Sequence, residues 1–270
     1  DSREVALYII TYNSPKQVEA LCKSFAAYDI NFLNKTKKYL LNNSIDKQFD
    51  EAYALICAEY DLEEIKKDNI GICGGRQFVA DHFNEGLYKY SMFFEDDMFF
   101  VGESTQVCRN GFQRRITGLF DRIVEIMKKE NYDFLKLNYS EFFGDNSTQW
   151  AWYNVPQSIR EVHWPDNKTL PVHGHSQNAP RTKFNSIKNI GDLSYADGEI
   201  YYCNWPQIVS RDGNQKMFID IKWQYPYEQT WMSFIYQETI KGNIKPGILL
   251  ASPTEHNRFE HYTAGERREH

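Results

Sequence analysis

The sequence predicts an α/β fold, a three-layer α/β/α sandwich around a mostly parallel central sheet. The first observation is a set of short apolar runs, such as residues 5–10, that offer apolar side chains to both faces of a strand. Strands of this kind lie in sheets that helices cover on both sides. The second observation is order, since strand, turn and helix recur three times, and such units form parallel sheets with right-handed crossovers.

Regular elements fill the N-terminal half. Ser14 and Pro15 are typical of the N-cap and the first residue of a helix. The glycine-rich segment 71–76 is interpreted as a turn that opens a later helix. The expected elements are, in order, a strand at 5–10, a helix at 16–28, a strand at 36–41, a helix at 46–60, a helix from the glycine-rich turn to about residue 84, and a strand at 90–100.

The C-terminal half shows weaker patterns. Residues 139–213 are rich in Asn, Pro, His and Trp and are expected to hold loops and short strands. The expected elements are a helix at 112–131, a strand at 132–138, a strand at 198–203, a helix at 227–240 and a strand at 248–251. No repeat or linker interrupts the chain, so residues 1–270 are interpreted as one domain with a regular half, 1–100, and a loop-rich half, 101–270.

Composition excludes several classes of function. The 270 residues are 41% hydrophobic and 25% charged, which is typical of a soluble globular protein. The net charge of -6 and the lack of a basic block argue against nucleic-acid binding. No run approaches the roughly 18–20 apolar residues that a membrane span needs. The five cysteines lack metal-ligand spacing, which favours a reducing, cytoplasmic location. Membrane association through a segment outside the given sequence stays open.

Three consecutive acids, Glu95, Asp96 and Asp97, interrupt the apolar strand at 90–100. Buried carboxylates cost several kcal/mol each unless they are paired, and a divalent cation can pair with several at once. Strand alternation places Glu95 and Asp97 on one face as a metal clamp and leaves Asp96 for a ligand hydroxyl. Ligation by oxygen alone favours Mg²⁺ or Mn²⁺. The alternative is a strand that ends in a solvated acidic turn.

Polar turns follow the first two strands as well. In a parallel sheet, the segments after the strands meet at one edge, where ligands bind. The turns Thr11-Tyr12-Asn13 and Asn42-Asn43-Ser44 could therefore contact a base and ribose beside the acids. Arg76, at a helix N-terminus, could offset the charge of a diphosphate. The alternatives are a simple turn with a helix cap at residues 11–15 and a surface or structural ion pair for Arg76.

Residues 5–15, 39–44, 69–78 and 92–98 together resemble the N-terminal half of glycosyltransferases with the GT-A fold. This is a Rossmann-like fold whose acidic motif is written DxD or, as here, EDD. The resemblance covers about residues 3–100 and implies a donor, a UDP- or GDP-linked sugar, bound with Mn²⁺ or Mg²⁺. It implies that residues 1–100 bind the nucleotide sugar and that residues 101–270 bind the acceptor. By this resemblance, the nucleoside lies near Thr11, Tyr12, Asn13 and Asn43. Many members carry an acid where this chain has Asn42-Asn43-Ser44, so the preferred base stays open.

The same resemblance assigns roles around the diphosphate. It places Arg76 near the donor, uses Glu95 and Asp96 for metal, ribose or sugar, and makes Asp97 the direct metal ligand. His256 resembles a C-terminal histidine that completes the metal site in some relatives.

An acceptor, whether glycan, lipid or protein, needs a general base within hydrogen-bond reach if the reaction inverts configuration. Glu228, before a helix and among aromatic residues, is the first candidate, and Asp197 and Glu199 are the second choices. The alternative for Glu228 is an acid that only stabilises the helix dipole.

Two rival functions remain open. A sugar-phosphate nucleotidyltransferase would carry a glycine-rich, basic phosphate loop after the first strand, whereas this chain has Thr11-Tyr12-Asn13-Ser14-Pro15. A catalytically silent protein of the same fold, which binds carbohydrate or a partner, is the rival from another class.

Overall fold

The fold comes from a computed structural model that describes residues 1–102, 113–139, 184–222 and 228–256. The strands in this part of the chain are β1 (Val5–Thr11), β2 (Thr36–Asn42), β3 (Leu62–Lys66), β4 (Tyr90–Glu95), β5 (Met98–Phe100), β6 (Phe134–Lys136), β7 (Phe184–Ile190), β8 (Leu193–Gly198), β9 (Gln207–Ser210), β10 (Pro246–Leu249) and β11 (Thr254–His256). The helices are α1 (Pro15–Tyr28), α2 (Asn31–Asn34), α3 (Asp50–Tyr60), α4 (Gly71–Glu85), α5 (Leu119–Glu130), α6 (Arg211–Asn214) and α7 (Glu228–Ile240). A 3₁₀ turn spans Lys47–Phe49, and a π turn spans Gln215–Ile219.

A mixed sheet with the strand order β3-β2-β1-β4-β9-β6-β10-β8-β7 forms the centre of the described fold. Strands β1 to β4 are parallel neighbours, and β6 and β10 are parallel to each other. Because β9 is antiparallel to both β4 and β6, and β8 to both β10 and β7, only β8 and β9 run against the rest. The prediction of a mostly parallel sheet is confirmed.

The strand directions define a carboxyl edge of the sheet, marked by Thr11, Asn42, Glu95 and Lys136. Thr11 pairs in register with Asn42, and Ile10 pairs with Glu95, so the ends of β1, β2 and β4 lie side by side. Strand β9 starts at this edge because Gln207 pairs with both Phe93 and Lys136. The segments that follow β1, β2, β4 and β6, and the segment that precedes β9, therefore meet at the carboxyl edge.

Helices cover both faces of the sheet, as the apolar runs predict. Odd-numbered residues of β1 join a buried cluster with α1, α3 and α5, whose members include Val5, Leu7, Ile9, Phe25, Tyr53 and Ile123. Even-numbered residues join a second cluster with α4, whose members include Ala6, Tyr8, Val79 and Phe83. On the same face, α7 packs into a third cluster through Ile235 and Tyr236. Helices therefore pack on both faces of the sheet, which is the arrangement of an α/β/α sandwich.

Several expected elements differ from the structure. The glycine-rich segment is not a turn but the first turns of α4, with Gly71 at a φ of +74°. The acidic strand divides into β4 and β5, and the two residues between them, Asp96 and Asp97, form a turn. The long helix begins only at Leu119, after a turn at Gly118, whose φ is +66°.

Two further strands differ. The strand expected at 198–203 is absent from the described structure, since β8 ends at Gly198. Strand β3 was not expected, because Glu and Lys occupy much of this edge strand.

Candidate functional site

The acidic turn after β4 lies against the end of β1. Thr11 Oγ1 donates to Asp96 Oδ2 at 2.7 Å, and the backbone N–H of Tyr12 also donates to the Asp96 carboxylate. The Asp96 backbone N–H donates in turn to the Ile10 carbonyl at 3.1 Å. Burial and the neighbouring charge of Asp97 raise the pKa of Asp96 to about 8. The structure thus brings together two of the segments that the sequence predicts to converge.

Tyr53 of α3 forms hydrogen bonds with the first polar turn. Its hydroxyl lies 2.8 Å from Thr11 Oγ1 and accepts a 2.8 Å hydrogen bond from the Ser14 N–H. Because Thr11 donates its own proton to Asp96, Tyr53 is the donor to Thr11. Tyr53 was missed from the sequence, where its only signal was a place on the buried face of a predicted helix.

Asn13 and Asn43 join the first and second turns. The Asn13 N–H donates to Ser44 Oγ at 2.7 Å, and the Asn43 N–H donates to the Thr11 carbonyl at 2.9 Å. Asn13 has a φ of +49°, which asparagine tolerates better than most residues. Within the described residues, the side-chain oxygens of Asn13 and Asn43 are buried without a hydrogen-bond donor. Buried oxygens without a donor are rare in folded proteins, so these two are available to a ligand that carries donors.

An open cavity of about 360 Å³ adjoins the second turn. It extends from the end of β2 to the end of β3 and is lined by Ser44, Ile45, Lys47, Asp50, Lys66, Lys67 and Asp68. Its volume falls in the range of small-molecule sites, which is about 300–1,000 Å³.

The acids Glu95 and Asp97 flank Asp96, and β11 approaches them from the C-terminal half. Strand β11 is antiparallel to β5, and His256 lies opposite Met98, the residue after Asp97. The backbone therefore brings His256 beside the acidic turn, whereas its side chain lies outside the described part of the structure.

The donor set of the acidic turn suits a cation that also contacts a ligand. In the described ranges, no three His, Cys, Asp or Glu side chains are close enough to form a metal site from protein groups alone. Mg²⁺ usually binds through one or two carboxylates, waters and the phosphates of a substrate, so it does not need such a group. Glu95 and Asp97 are oxygen donors of this kind. A cation bound to them would relieve the repulsion from Asp97 that, together with burial, raises the pKa of Asp96.

Glu228, the first residue of α7, also lies at the carboxyl edge. Its Oε2 accepts a 3.0 Å hydrogen bond from Asn204 Nδ2, and Asn204 lies just before β9. Burial and the Glu228 carboxylate raise the pKa of the Cys73 thiol, in the first turn of α4, to about 11. The same turn contacts Asn43, since a Cβ on Gly75 would come 3.3 Å from Asn43 Nδ2. The first turns of α4 thus lie beside the second polar turn.

Arg76 is placed differently from the prediction. Its side chain is fully buried, with the guanidinium 3.9 Å from the ring centre of Phe218 and 5.0 Å from that of Phe93. Its Nε donates to the Tyr202 hydroxyl at 3.3 Å. Aromatic ring faces attract a guanidinium group and stabilise it in the interior. This placement therefore does not support direct contact between Arg76 and a donor diphosphate.

Asp197 does not join the site. Because β8 runs against β1, its C-terminal end, with Asp197, lies at the edge opposite Thr11 and Asp96. There the carboxylate accepts hydrogen bonds from Tyr132 at 3.2 Å and Ser186 at 2.8 Å. The described structure thus places Asp197 away from the edge that holds the other candidate residues.

Lys136 at the end of β6 was also missed. It is buried at the carboxyl edge, with its Nζ 4.9 Å from the ring centre of Trp205. The local sequence reads as an ordinary strand, and only the sheet order shows that it ends at this edge.

Comparison with known proteins shows the fold. No protein-family model matches the chain, and no curated protein matches it in sequence. The crystal structure of S. aureus TarS 1-349 is similar over 94% of this chain and 60% of that chain, with a TM-score of 0.52 and 12% identity. The chain thus spans three fifths of that TarS structure. A mannosyltransferase from Pyrobaculum calidifontis, PcManGT in complex with GDP-Man and Mn²⁺, matches 51% of this chain and 36% of that chain, with a TM-score of 0.39 and 9% identity.

The chain therefore has a Rossmann-like glycosyltransferase fold. In the described part of the chain, no helix is both long and apolar enough to cross a membrane.

Proposed function

We propose that this protein is a glycosyltransferase that moves a sugar from a UDP- or GDP-linked donor to a glycan, lipid or protein acceptor with the help of Mn²⁺ or Mg²⁺. The observation that carries the proposal is the 2.7 Å contact between Thr11 and Asp96, which joins the first polar turn to the acidic motif. Ligands of open α/β sheets bind beyond the carboxyl ends of the strands, and this contact lies there.

The first two turns would bind the nucleoside. The buried side-chain oxygens of Asn13 and Asn43 would accept hydrogen bonds from the base N–H or the ribose hydroxyls. Thr11 and Tyr12 would border the ribose, and Asp96, held by both, would meet a hydroxyl of the ribose or the sugar. The cavity beside Ser44 offers space for the base.

The acidic turn would hold the metal and the diphosphate. Asp97 would contact the cation directly, with Glu95 and His256 as further ligands from β4 and β11. A cation held there supplies electrostatic stabilisation of the charge that grows on the leaving diphosphate.

Glu228 would act as the general base for an inverting reaction. It lies at the carboxyl edge next to α4, and its carboxylate can accept the proton of an acceptor hydroxyl. General bases contribute roughly 10²–10⁴-fold to a rate.

The test is titration calorimetry with UDP-glucose, UDP-GlcNAc and GDP-mannose, with and without Mn²⁺. We expect one of these donors to bind only with the cation, and Asp97→Ala to abolish that binding. Asp121→Ala is the matched control, because Asp121 of α5 forms an exposed ion pair with Lys35 away from the carboxyl edge. No binding of any nucleotide sugar under either condition would remove the proposal.

A donor-hydrolysis assay separates an enzyme from a silent binding protein of the same fold. A transferase slowly passes the sugar to water and releases free nucleoside diphosphate. Binding of a donor without such release would favour the silent protein.

A further inference from the structure

We propose that Arg76, Tyr202 and Asn204 form a one-directional hydrogen-bond chain that positions the Glu228 carboxylate for its role as base. This inference rests on the proposed function. It assigns Arg76 a role inside the protein instead of one on the donor.

The chain joins three separate parts of the fold. Arg76 Nε on α4 donates to the Tyr202 hydroxyl at 3.3 Å, and the Tyr202 hydroxyl donates to Asn204 Oδ1 at 3.0 Å. Asn204 Nδ2 then donates to Glu228 Oε2 at 3.0 Å, at the start of α7. The second and third distances are usual for hydrogen bonds, whereas the first lies just beyond the usual range of about 2.7–3.2 Å for N–H donors.

The direction of the chain follows from the chemistry of its two ends. A guanidinium can only donate hydrogen bonds, and an ionised carboxylate can only accept them. Tyr202 must therefore accept from Arg76 and pass its own proton to Asn204, which fixes the Asn204 amide with its NH₂ group toward Glu228. Burial raises the pKa of Tyr202 to about 12, so its hydroxyl keeps its proton at neutral pH.

The burial of the chain makes it rigid. Arg76 and Tyr202 are fully buried, and Asn204 is 4% exposed. The Arg76 guanidinium packs on Phe218 and Phe93, and the Tyr202 ring packs edge-on against Phe134. Rotation of any of these side chains would break a buried hydrogen bond, so the direction of the amide is fixed before substrate arrives.

Arg76 contributes positive charge as well as a proton. Its Nη1 and Nη2 are buried and have no hydrogen-bond acceptor in the described part of the chain. Leaving a guanidinium in this condition is costly. A purely structural tie between α4 and Tyr202 would need only a neutral donor. A cation at the start of the chain instead strengthens each hydrogen bond toward the carboxylate.

The step served by the chain is a proton transfer coupled to displacement. The oxygen of the acceptor, or of water in the assay below, attacks the anomeric carbon and its proton passes to Glu228. The bond between that carbon and the diphosphate oxygen breaks, and the diphosphate leaves with the electron pair. The chain touches neither substrate, so Asn204, Tyr202 and Arg76 are positioning residues.

The experiment measures donor hydrolysis with Mn²⁺ and the three donors named above, in Tyr202→Phe, Asn204→Ala, Glu228→Gln and the two corresponding double variants. We expect Glu228→Gln to lower kcat about 100-fold or more. Tyr202→Phe and Asn204→Ala should each lower kcat about 10-fold or more with an unchanged KM for the donor, because a misplaced base affects the chemical step. Added to Glu228→Gln, neither should cause a further loss, since both act through Glu228.

Tyr195→Phe is the matched control. It also removes a buried hydroxyl that donates to a carboxylate, that of Glu130 at 2.9 Å, but Tyr195 belongs to the buried cluster with α5 and Tyr202 to the one with α7. Its kcat should equal that of the wild type, even if its stability falls as much as that of Tyr202→Phe.

The outcomes separate this inference from the proposed function. Wild-type kcat in Tyr202→Phe and Asn204→Ala, or a further loss of equal size in the Glu228→Gln background, would overturn the chain while leaving the transferase intact. Donor binding by the wild type without any hydrolysis would also overturn it. Absence of donor binding by the wild type would instead remove the proposed function itself.

Discussion

At the scale of single residues, we expect Arg76 to lower the stability of the protein while it supports the activity. Its guanidinium is fully buried, makes one hydrogen bond to Tyr202, and has two terminal nitrogens without an acceptor among the described residues. When apolar residues of similar volume replace buried charges that lack full compensation, the protein often becomes more stable, by about 1–4 kcal/mol. An arginine that costs stability at this position is consistent with a functional role.

We therefore expect Arg76→Met to have an unfolding free energy equal to or above that of the wild type, together with slower donor hydrolysis. Urea denaturation measures the first and the hydrolysis assay the second. Arg211→Met is the control, because the Arg211 guanidinium lies on the Phe83 ring and also donates to the carbonyls of Phe83, Asn84 and Gly86. Its loss should destabilise the protein, whereas an Arg76→Met variant less stable than the wild type would contradict this account.

His82 makes stability depend on pH. Its Nδ1 lies 2.8 Å from the Tyr8 hydroxyl, its ring packs on Tyr39, and burial lowers its pKa below the ordinary 6.5. Because the folded protein then binds fewer protons than the unfolded chain, the stabilisation from neutral His82 is present above about pH 6.5 and is lost as the pH falls below it.

In His82→Phe this contribution to the pH dependence disappears, while the ring packing is kept. The stability advantage of the wild type over the variant should be larger at pH 7.5 than at pH 5.5. Urea denaturation at both values tests this, and an advantage that stays constant or grows at pH 5.5 would contradict the assignment.

At the scale of elements, α6 and the π turn after it support the buried side of Arg76. Gly213 of α6 packs directly on the backbone before β6, where an added Cβ would lie 2.0 Å from the Asp133 carbonyl oxygen. The π turn that follows carries Phe218, whose ring faces the Arg76 guanidinium. The close approach at Gly213 therefore fixes the aromatic surface on which Arg76 rests.

Gly213→Ala should lower the unfolding free energy by about 1–3 kcal/mol or more, because backbone atoms cannot move aside as a flexible side chain can. Gly102→Ala is a suitable control, since no described atom lies within 4 Å of an added Cβ there. Denaturation midpoints compare the two, and equal midpoints would show that α6 can shift without cost.

At the scale of the whole molecule, local patterns predicted the N-terminal half well. Apolar runs placed β1 and β2 almost to the residue, and the rule for parallel strands brought Thr11, Asn43 and Asp96 to one edge. Both depend on signals within a few residues of each other. The roles proposed for these residues remain predictions.

The C-terminal half depends on pairings between distant segments, which local patterns do not contain. The contact between Arg76 and Tyr202 spans 126 residues, and that between Asn204 and Glu228 depends on where β9 begins. The position of Asp197 at the other edge is hidden for the same reason, since nothing near it in the sequence reveals that β8 runs against β1. Strand direction, not residue type, decided which acids reach the carboxyl edge.

The most direct test of the central claim is a crystal structure of the protein with Mn²⁺ and UDP, with data collected at the manganese absorption edge. The account predicts an anomalous peak within coordination distance of Asp97, bridged to the diphosphate, with the nucleoside beside Thr11 and Asn43. A nucleotide bound elsewhere, or an acidic turn that holds neither cation nor diphosphate at saturating concentrations, would contradict it.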